Sequence, residues 1–372
     1  MDLEKYQQLL KDKTDLGEFA TFVPNKFRPV YNWFYYKEGF SKELADFFLD
    51  SFNPTRVLDP FCGSGTTLLA CRQRGINAVG VDAMPISIFA ARVKTQDYDL
   101  SELERIRKQI MQVKFRQISM QFPKFFYRYF SKYVLADISL FLSRIYEMEE
   151  PSRSFFLLAL INSAVRASWA FKDGAVLKVR KQGNNPLRKM LARVTSRMIK
   201  DLGNFSSKPC DIKADVGDAR QLELGDSSVD AIITSPPYLN NIDYTKVYSI
   251  ENWFVGQSEP TLRSYMGMKS EEDVVFLDLP VSANAYFKDM KLALQEMHRI
   301  LKPGGKAAIV VGNAYYSDID LIVDSDLILS AMAEELVFHV NEILVLNKRY
   351  ALENRTIKKG VLRESAVVME KL

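Results

Sequence analysis

Short, mostly apolar runs recur in the first and last parts of this chain. Each run has four to eight residues, at 56–59, 75–82, 212–219, 229–235 and 306–312. Runs of this length and composition are typical of strands buried on both faces of a sheet. Apolar positions at helical spacing follow at 66–74, 285–301 and 327–335. The pattern therefore predicts strands that alternate with helices.

This alternation predicts an α/β fold, a Rossmann-like, doubly wound and mostly parallel sheet. Two last apolar runs, 340–346 and 365–369, predict a closing antiparallel hairpin. In such sheets, ligands bind at the carboxyl ends of the strands. We therefore look for chemistry in the residues that follow each predicted strand.

The middle of the chain has a different character. Helical patterns dominate there, for example at 125–148 and 154–169, without the alternation that indicates strands. We expect a helical insertion over residues 99–207, with the α/β core formed by 1–98 and 208–372.

Composition agrees with a soluble globular protein, since 47% of the 372 residues are hydrophobic and 26% are charged. Cys62, Cys71 and Cys210 are too scattered for a disulfide framework, and we predict no metal site. Residues 1–15 lack the apolar segment of a secretion signal, and no apolar run approaches the roughly 20 residues of a membrane span. These features predict a cytoplasmic protein without membrane contact. The net charge of +4 permits a phosphate-rich partner.

A glycine-containing turn, Asp59-Pro-Phe-Cys-Gly-Ser-Gly65, follows the first predicted strand. Gly63 and Gly65 allow close approach of the backbone to a ligand, and Thr66 or Thr67 is expected to cap the next helix. A dinucleotide-binding turn is less well matched, because Leu68 stands where that fingerprint has its third glycine. A purely structural turn is the other alternative.

Two acids end neighbouring strands of the predicted sheet. Asp82 lies about twenty residues after the turn, a spacing at which an acid accepts hydrogen bonds from ribose hydroxyls. Asp218 follows the third strand and is placed to accept from an adenine amine. Alternatively, Asp82 caps the next helix and Asp218 belongs to a turn.

The segment Ser235-Pro-Pro-Tyr238 follows the fourth strand. The exocyclic amine of a base is a poor nucleophile, so catalysis requires groups that favour the pyramidal nitrogen of the transition state. The Ser235 hydroxyl and Pro236 carbonyl offer two acceptors, Pro237 helps to hold them rigid, and Tyr238 offers a face for an extruded base. The alternative is a Pro-Pro turn with a chance tyrosine.

These motifs together resemble the S-adenosylmethionine-dependent amino-methyltransferases of DNA, the cytosine-N4 and adenine-N6 modification enzymes. The resemblance implies S-adenosyl-L-methionine as cofactor, with Asp82 on its ribose and Asp218 on its adenine. It assigns Ser235, Pro236, Pro237 and Tyr238 to catalysis. The methionine part would be held by Asp59, Phe61, Cys62, Gly63, Gly65, Thr66 and Thr67. The leader at 25–34 resembles a segment that folds over the cofactor.

A basic stretch of the insertion has no acid within it. It comprises Lys178, Arg180, Lys181, Arg188, Lys189 and Arg193, and continues to Arg197 and Lys200. Such a stretch is suited to a phosphate backbone, although a solvated helix face explains it as well.

The resulting hypothesis is a methyltransferase that acts on double-stranded DNA, most readily on cytosine N4 because the motif has serine in first position, in a restriction-modification or defence setting. An adenine-N6 enzyme, an RNA base methyltransferase and a catalytically silent binding subunit are the alternatives. The sequence does not indicate an oligomeric state.

Overall fold

The computed structural model describes residues 3–114, 116, 118, 120–173, 176–180, 186–239, 243–256, 278–353 and 357–372. Its strands are β1 Leu10–Asp12, β2 Arg56–Asp59, β3 Asn77–Asp82, β4 Ala170–Asp173, β5 Val176–Val179, β6 Ile212–Val216, β7 Val229–Thr234, β8 Leu301–Gly312, β9 Ala314–Tyr316, β10 Leu321–Val323, β11 Phe338–Glu353 and β12 Ile357–Lys371.

The α-helices are α1 Glu4–Gln7, α2 Lys42–Phe52, α3 Thr66–Arg74, α4 Pro85–Thr95, α5 Leu100–Met111, α6 Phe126–Tyr129, α7 Lys132–Tyr146, α8 Ser152–Ala167, α9 Leu187–Gly203, α10 Tyr244–Val247, α11 Ser249–Phe254, α12 Val281–Ile300 and α13 Ser325–Glu335. Short 3-10 helices lie at Thr14–Ala20, Pro24–Phe27 and Tyr31–Trp33. None of the helices described is long and apolar enough to cross a membrane.

Eight strands form one sheet in the order β1-β11-β12-β8-β7-β2-β3-β6. The five strands from β8 to β6 pair in parallel, as their apolar runs predicted. Strands β11 and β12 form the expected antiparallel hairpin, and β12 joins it to β8. The predicted fold class is confirmed. The short strand β1, which the charged N-terminus did not predict, adds parallel to β11.

The insertion contains helices α5 to α9, but it also contains an antiparallel hairpin of β4 and β5. The prediction of a region without strands was therefore wrong at 170–179. The helix predicted at 125–148 is interrupted, since the Ser131 hydroxyl accepts from the Val134 N–H and begins α7. Side-chain capping of this kind starts a new helix where an apolar pattern alone predicts one long helix.

The insertion packs directly on the α/β core and shares its hydrophobic interior. Trp33 of the leader meets Phe155 of α8 edge to face, with ring centroids 5.4 Å apart. Trp253 of α11, which follows the Ser-Pro-Pro-Tyr segment, lies 4.5 Å from Phe126 by the same measure. These side chains lie in or against one buried cluster, so the proposed division at 98 and 208 describes chain order rather than separate hydrophobic cores.

Candidate functional site

A cleft of about 320 Å³ opens at the carboxyl ends of β2, β3, β6 and β7. It is lined by the loop after β2, by residues 36–40, which follow the leader, and by the Ser-Pro-Pro-Tyr segment. Eleven of the predicted site residues line it, namely Asp59, Phe61, Cys62, Gly63, Thr66, Asp82, Asp218, Ser235, Pro236, Pro237 and Tyr238. Of the cofactor set, Gly65 and Thr67 do not line it.

The glycine turn is held tightly against the sheet. The Cys62 N–H donates to the Val81 carbonyl of β3, and the Gly65 N–H donates to the Cys62 carbonyl at 2.8 Å. Gly63 and Gly65 have φ of 49° and 79°, a region that favours glycine. A Cβ on Gly63 would lie 2.7 Å from a ring carbon of Tyr36. Glycine at this position therefore allows the turn and also lets the Tyr36 ring pack closely against it.

The expected threonine cap is wrong. Helix α3 has Gly65 as its N-cap residue, in the left-handed conformation and without a side-chain cap. The Thr66 hydroxyl accepts instead from the side-chain amide of Asn25, which is buried in the leader. Asn25 thus contacts the glycine turn directly, but residues 25–34 do not line the cleft, whereas residues 36–40 do. That residues 25–34 cover the cofactor stays a prediction.

Asp59 ends β2 and is almost completely buried, with 3% of its surface exposed. Its Oδ1 accepts from the Thr234 hydroxyl at 2.6 Å and from the Phe61 N–H at 3.3 Å. Burial raises the pKa of the Asp59 carboxyl to about 6, because its charged form loses hydration. The group is therefore poised for a donor or a cation in the cleft.

Asp82 ends β3, and it does not cap the next helix, because α4 has Met84 as its N-cap residue without a side-chain cap. Its Oδ2 accepts from the Gly63 N–H at 2.9 Å, and its Oδ1 accepts from the Met84 N–H at 2.8 Å, just before α4. Each carboxylate oxygen keeps a lone pair beyond these bonds. Burial raises the pKa of Asp82 to about 6. The side chain thus braces the loop and faces the cleft.

Asp218 is bound by a neighbour that the sequence analysis missed. The Arg220 guanidinium donates to both Asp218 oxygens, at 2.7 to 3.1 Å, and its other arm reaches Asp289 of α12 at 2.8 Å. Burial acts to raise the pKa of Asp218, but the bonds from Arg220 outweigh it, so the net pKa is lowered. Asp218 is consequently an ionised acceptor at the cleft wall.

Ser235 and Tyr238 are both fixed by hydrogen bonds to the sheet. The Ser235 hydroxyl donates to the Val310 carbonyl at 3.1 Å. The Tyr238 hydroxyl donates to Glu364 of β12 at 2.6 Å, and its ring lies where a side chain at Gly312 would clash. Burial raises the pKa of the Glu364 carboxyl.

Further cleft groups were not predicted. Glu38, Arg220 and Glu364 line the cleft but belong to no motif. Behind the turn, the buried Lys94 ammonium of α4 donates to the carbonyl and hydroxyl oxygens of Ser64, at 2.9 and 3.1 Å, and burial lowers its pKa to about 7. An acid next to an apolar run, as at Glu364, is the one signal that the sequence offered.

The basic residues of the insertion do not form one surface. Lys178 pairs with Asp173 at 2.5 Å, and Arg180 lies over the Phe171 ring. Arg188 is half-buried, and its Nη1 donates to the Met111 and Val113 carbonyls at 3.2 and 2.8 Å.

Lys189 and Arg193 are exposed on one face of α9, whereas the exposed Lys178 and Arg180 belong to β5 and the residue after it. Lys181 lies outside the described residues. In the described ranges, no group of three or more His, Cys, Asp or Glu side chains is placed to hold a metal ion.

Comparisons with known proteins agree with this geometry. A family model described as DNA methylase, for N6 and N4 enzymes, matches residues 23–88 and 229–366, more than half of the chain. The type II methyltransferase M.BsoBI of Geobacillus stearothermophilus is 24% identical, over 99% of this chain and 91% of its own length. M.AvaI of Nostoc sp., also a type II methyltransferase, is 26% identical, over 91% of this chain and 86% of its own.

Among solved structures, a geranyl diphosphate methyltransferase in complex with SAM is 10% identical, with a TM-score of 0.36 over 89% of this chain and 85% of that one. That likeness is too low to bear on function. The family match does bear on it, because both matched segments contain motifs that line the cleft. The chain belongs to the N6/N4 DNA methylase family, and its methyl donor is S-adenosylmethionine.

Proposed function

We propose that this protein methylates the N4 amine of cytosine in duplex DNA, as the methyltransferase of a type II restriction-modification system. The cleft residues named above are proposed to bind the cofactor at the β2–β3 side and the extruded base at the β7 side. Family membership supports the DNA substrate, and the names of M.BsoBI and M.AvaI support the type II setting.

The hydrogen bond of Ser235 carries the proposal. Because the hydroxyl hydrogen is committed to the Val310 carbonyl, Ser235 Oγ presents lone pairs to the cleft. An oxygen held as an acceptor is suited to the hydrogen of an attacking amine and favours a pyramidal nitrogen. The Pro236 carbonyl is proposed as the second acceptor. An exocyclic amino group carries two hydrogens, so a pair of acceptors accounts for a substrate that has such a group.

The charges of the cleft fit the cofactor. Asp59, Asp82 and Glu38 bring carboxyl groups to its walls, and burial raises the pKa of each. S-adenosylmethionine carries an ammonium and a sulfonium group, whose positive charges stabilise such carboxylates. Its ribose hydroxyls donate hydrogen bonds to them. When bound, it supplies an electrophilic methyl group. Asp82 is proposed to accept from the ribose hydroxyls, and Asp218 from the adenine amine.

Tyr238 is proposed to support the base. A base within a duplex must leave the stack before its amine enters the cleft, and stacking on an aromatic face offsets part of that cost. The Glu364 bond fixes the Tyr238 hydroxyl, so the ring orientation is set before the base arrives. The first position of the motif is serine, and among the DNA amino-methyltransferases that this chain resembles, serine favours cytosine over adenine.

The proposal is tested by incubating the protein with isotopically labelled S-adenosylmethionine and amplified, unmethylated genomic DNA. Digestion and mass spectrometry of the nucleosides identify the labelled base, with total RNA as a parallel substrate. Labelled N4-methylcytosine is the expected product. Labelled N6-methyladenine would overturn the base assignment, and label in RNA alone would overturn the DNA substrate. Cofactor binding without any label in nucleic acid would favour a silent subunit.

A further inference from the structure

The hairpin of β4 and β5 in the insertion presents two different faces. Lys172, Leu177 and Val179 are half-buried, whereas Phe171 and Arg180 are exposed. Alternation of side chains along a strand produces this division. One short element therefore has an inner face against the protein and an outer face toward solvent.

The outer face combines an aromatic ring with cations. The Arg180 guanidinium carbon lies 5.4 Å from the Phe171 ring centroid, and the exposed Lys178 is on the same hairpin. Cations attract phosphates, and the Phe171 ring supports the Arg180 guanidinium, so this face is complementary to the phosphate backbone of a duplex. Asp173, which pairs with Lys178, reduces the positive charge of the face without removing it.

The inner face contacts a buried tyrosine. The Lys172 ammonium lies 3.4 Å from the ring centroid of Tyr248 and 2.6 Å from Glu251 Oε1. Tyr248 is the N-cap residue of α11, Glu251 lies within this helix, and both are buried. A cation held between a ring face and a buried carboxylate has a closely defined position.

Tyr248 continues the contact to the cleft. Its hydroxyl donates to Glu38 Oε2 at 2.8 Å, and its ring stacks on Tyr36 with centroids 5.6 Å apart. The Tyr36 ring lies in turn against Gly63 of the glycine turn. Glu38, Tyr36 and Gly63 all line the cleft. Packed side chains thus connect the hairpin to the cofactor side of the site.

We propose that the outer face of this hairpin binds the target duplex, and that Lys172 and Tyr248, as positioning residues, couple DNA binding to cofactor binding. The inference rests on the proposed function, since it takes duplex DNA as the substrate. Displacement of the hairpin by DNA moves Lys172, and with it the Tyr248 ring and the Glu38 carboxylate. Coupling between two sites is reciprocal, so the cofactor raises DNA affinity by the same factor.

The test compares inner and outer variants of the full-length protein. The affinity of S-adenosylhomocysteine is measured by calorimetry, with and without a saturating unmethylated duplex that accepts label from the unaltered protein. For the unaltered protein, we expect DNA to tighten this binding by about fivefold or more, within the usual range of coupling. Lys172→Met should bring the ratio to about one, while DNA affinity alone changes less than about twofold. Lys172→Arg should restore the ratio.

Arg180→Ala is the matched outer variant. It should weaken DNA binding several-fold and leave the affinity of S-adenosylhomocysteine without DNA unchanged. Tyr248→Phe keeps the buried ring and removes the bond to Glu38, so it tests the same path should Lys172→Met fold poorly. We expect the coupling ratio of Tyr248→Phe to fall below half of the original.

Full coupling in both Lys172→Met and Tyr248→Phe would overturn the inference. Loss of cofactor affinity in the absence of DNA would also overturn it, since that result indicates a structural role. Failure of the proposed DNA substrate has a different signature, because the unaltered protein would then transfer no label to DNA.

Discussion

The cleft wall at the ends of β2 and β3 and the basic stretch of the insertion hold their charged side chains in opposite ways. Asp59 and Asp82 end adjacent parallel strands and accept backbone N–H bonds, and burial, almost complete for Asp59 and partial for Asp82, raises the pKa of each. Withdrawal of a carboxyl group from water is costly, so a pair of them at one edge indicates a ligand that repays this cost.

The cations of the insertion have no shared environment. Arg188 binds two main-chain carbonyls, Lys178 and Arg180 lie on the hairpin, and Lys189 and Arg193 face solvent on α9. Neighbours in sequence are thus separated by strand and helix geometry. Strand topology therefore brings the acids of the cleft into one site, whereas the cations of a single basic stretch have different structural roles.

Replacement of Ser235 by alanine tests the cleft side of the comparison most severely. Loss of a transition-state acceptor should lower the single-turnover rate by about 10²-fold, while cofactor affinity stays within about twofold. Ser143→Ala is the matched control, because the Ser143 hydroxyl also donates to a main-chain carbonyl, that of Leu140, but on helix α7. Loss of cofactor binding in Ser235→Ala would instead assign Ser235 to the cofactor site and contradict its place in the base pocket.

Replacement of Gly63 by alanine tests the cofactor side. The new Cβ would need a positive φ and would lie 2.7 Å from the Tyr36 ring. We expect the dissociation constant of S-adenosylhomocysteine to rise by about tenfold, since a positive φ alone costs roughly 1–2 kcal/mol. Gly225→Ala is the control, since a Cβ there would meet no described atom within 4 Å. Equal effects of the two changes would contradict the close fit.

The pH dependence of cofactor binding tests the buried acids. The pKa of both Asp59 and Asp82 is about 6, so each is largely protonated at pH 5 and ionised at pH 7. A cationic ligand with hydroxyl donors prefers the ionised form, so its affinity rises with pH through 6. For one such group, binding at pH 5 should be about tenfold weaker than at pH 7. Asp82→Asn should flatten the titration; an unchanged curve would remove Asp82 from the ligand contacts.

The smallest effects are expected in the insertion. The double change Lys189→Ala, Arg193→Ala should weaken DNA binding several-fold and reduce the slope of log K against log salt by up to about 1.8, if each side chain meets one phosphate. Arg188→Ala should instead lower the melting temperature, because the Met111 and Val113 carbonyls lose their donor. Identical salt slopes for all variants would assign α9 to a solvated surface.

Local patterns predicted the sheet and much of the cleft for a physical reason. A buried strand and the glycine turn after it are specified by adjacent residues, and parallel pairing then brings Asp59, Asp82 and Ser235 to one edge. Arg220 and Glu364 were missed because their roles depend on partners in other elements, Asp289 and Tyr238. No local pattern encodes such pairs.

The hairpin at 170–179 was missed for a related reason. Its strands have four residues each, which is too few for a clear alternation of apolar and polar positions. The sequence alone suggests that Lys172 is a surface charge, because its partners Tyr248 and Glu251 are distant in sequence. The threonine cap failed because Gly65 itself ends the turn in the left-handed conformation. Tertiary contacts decided the first case, and the local backbone conformation decided the second.

The central pairing of the sheet has a consequence for how the protein is made. Val57 of β2 pairs with Ala231 of β7, so the whole insertion must be synthesised between the two partners. At the usual elongation rate, one edge of β2 waits roughly 10 to 35 seconds for its neighbour. An apolar strand with an open edge is prone to pair wrongly. The nascent first half therefore exposes this strand edge until β7 has been made, and slower synthesis lengthens that exposure.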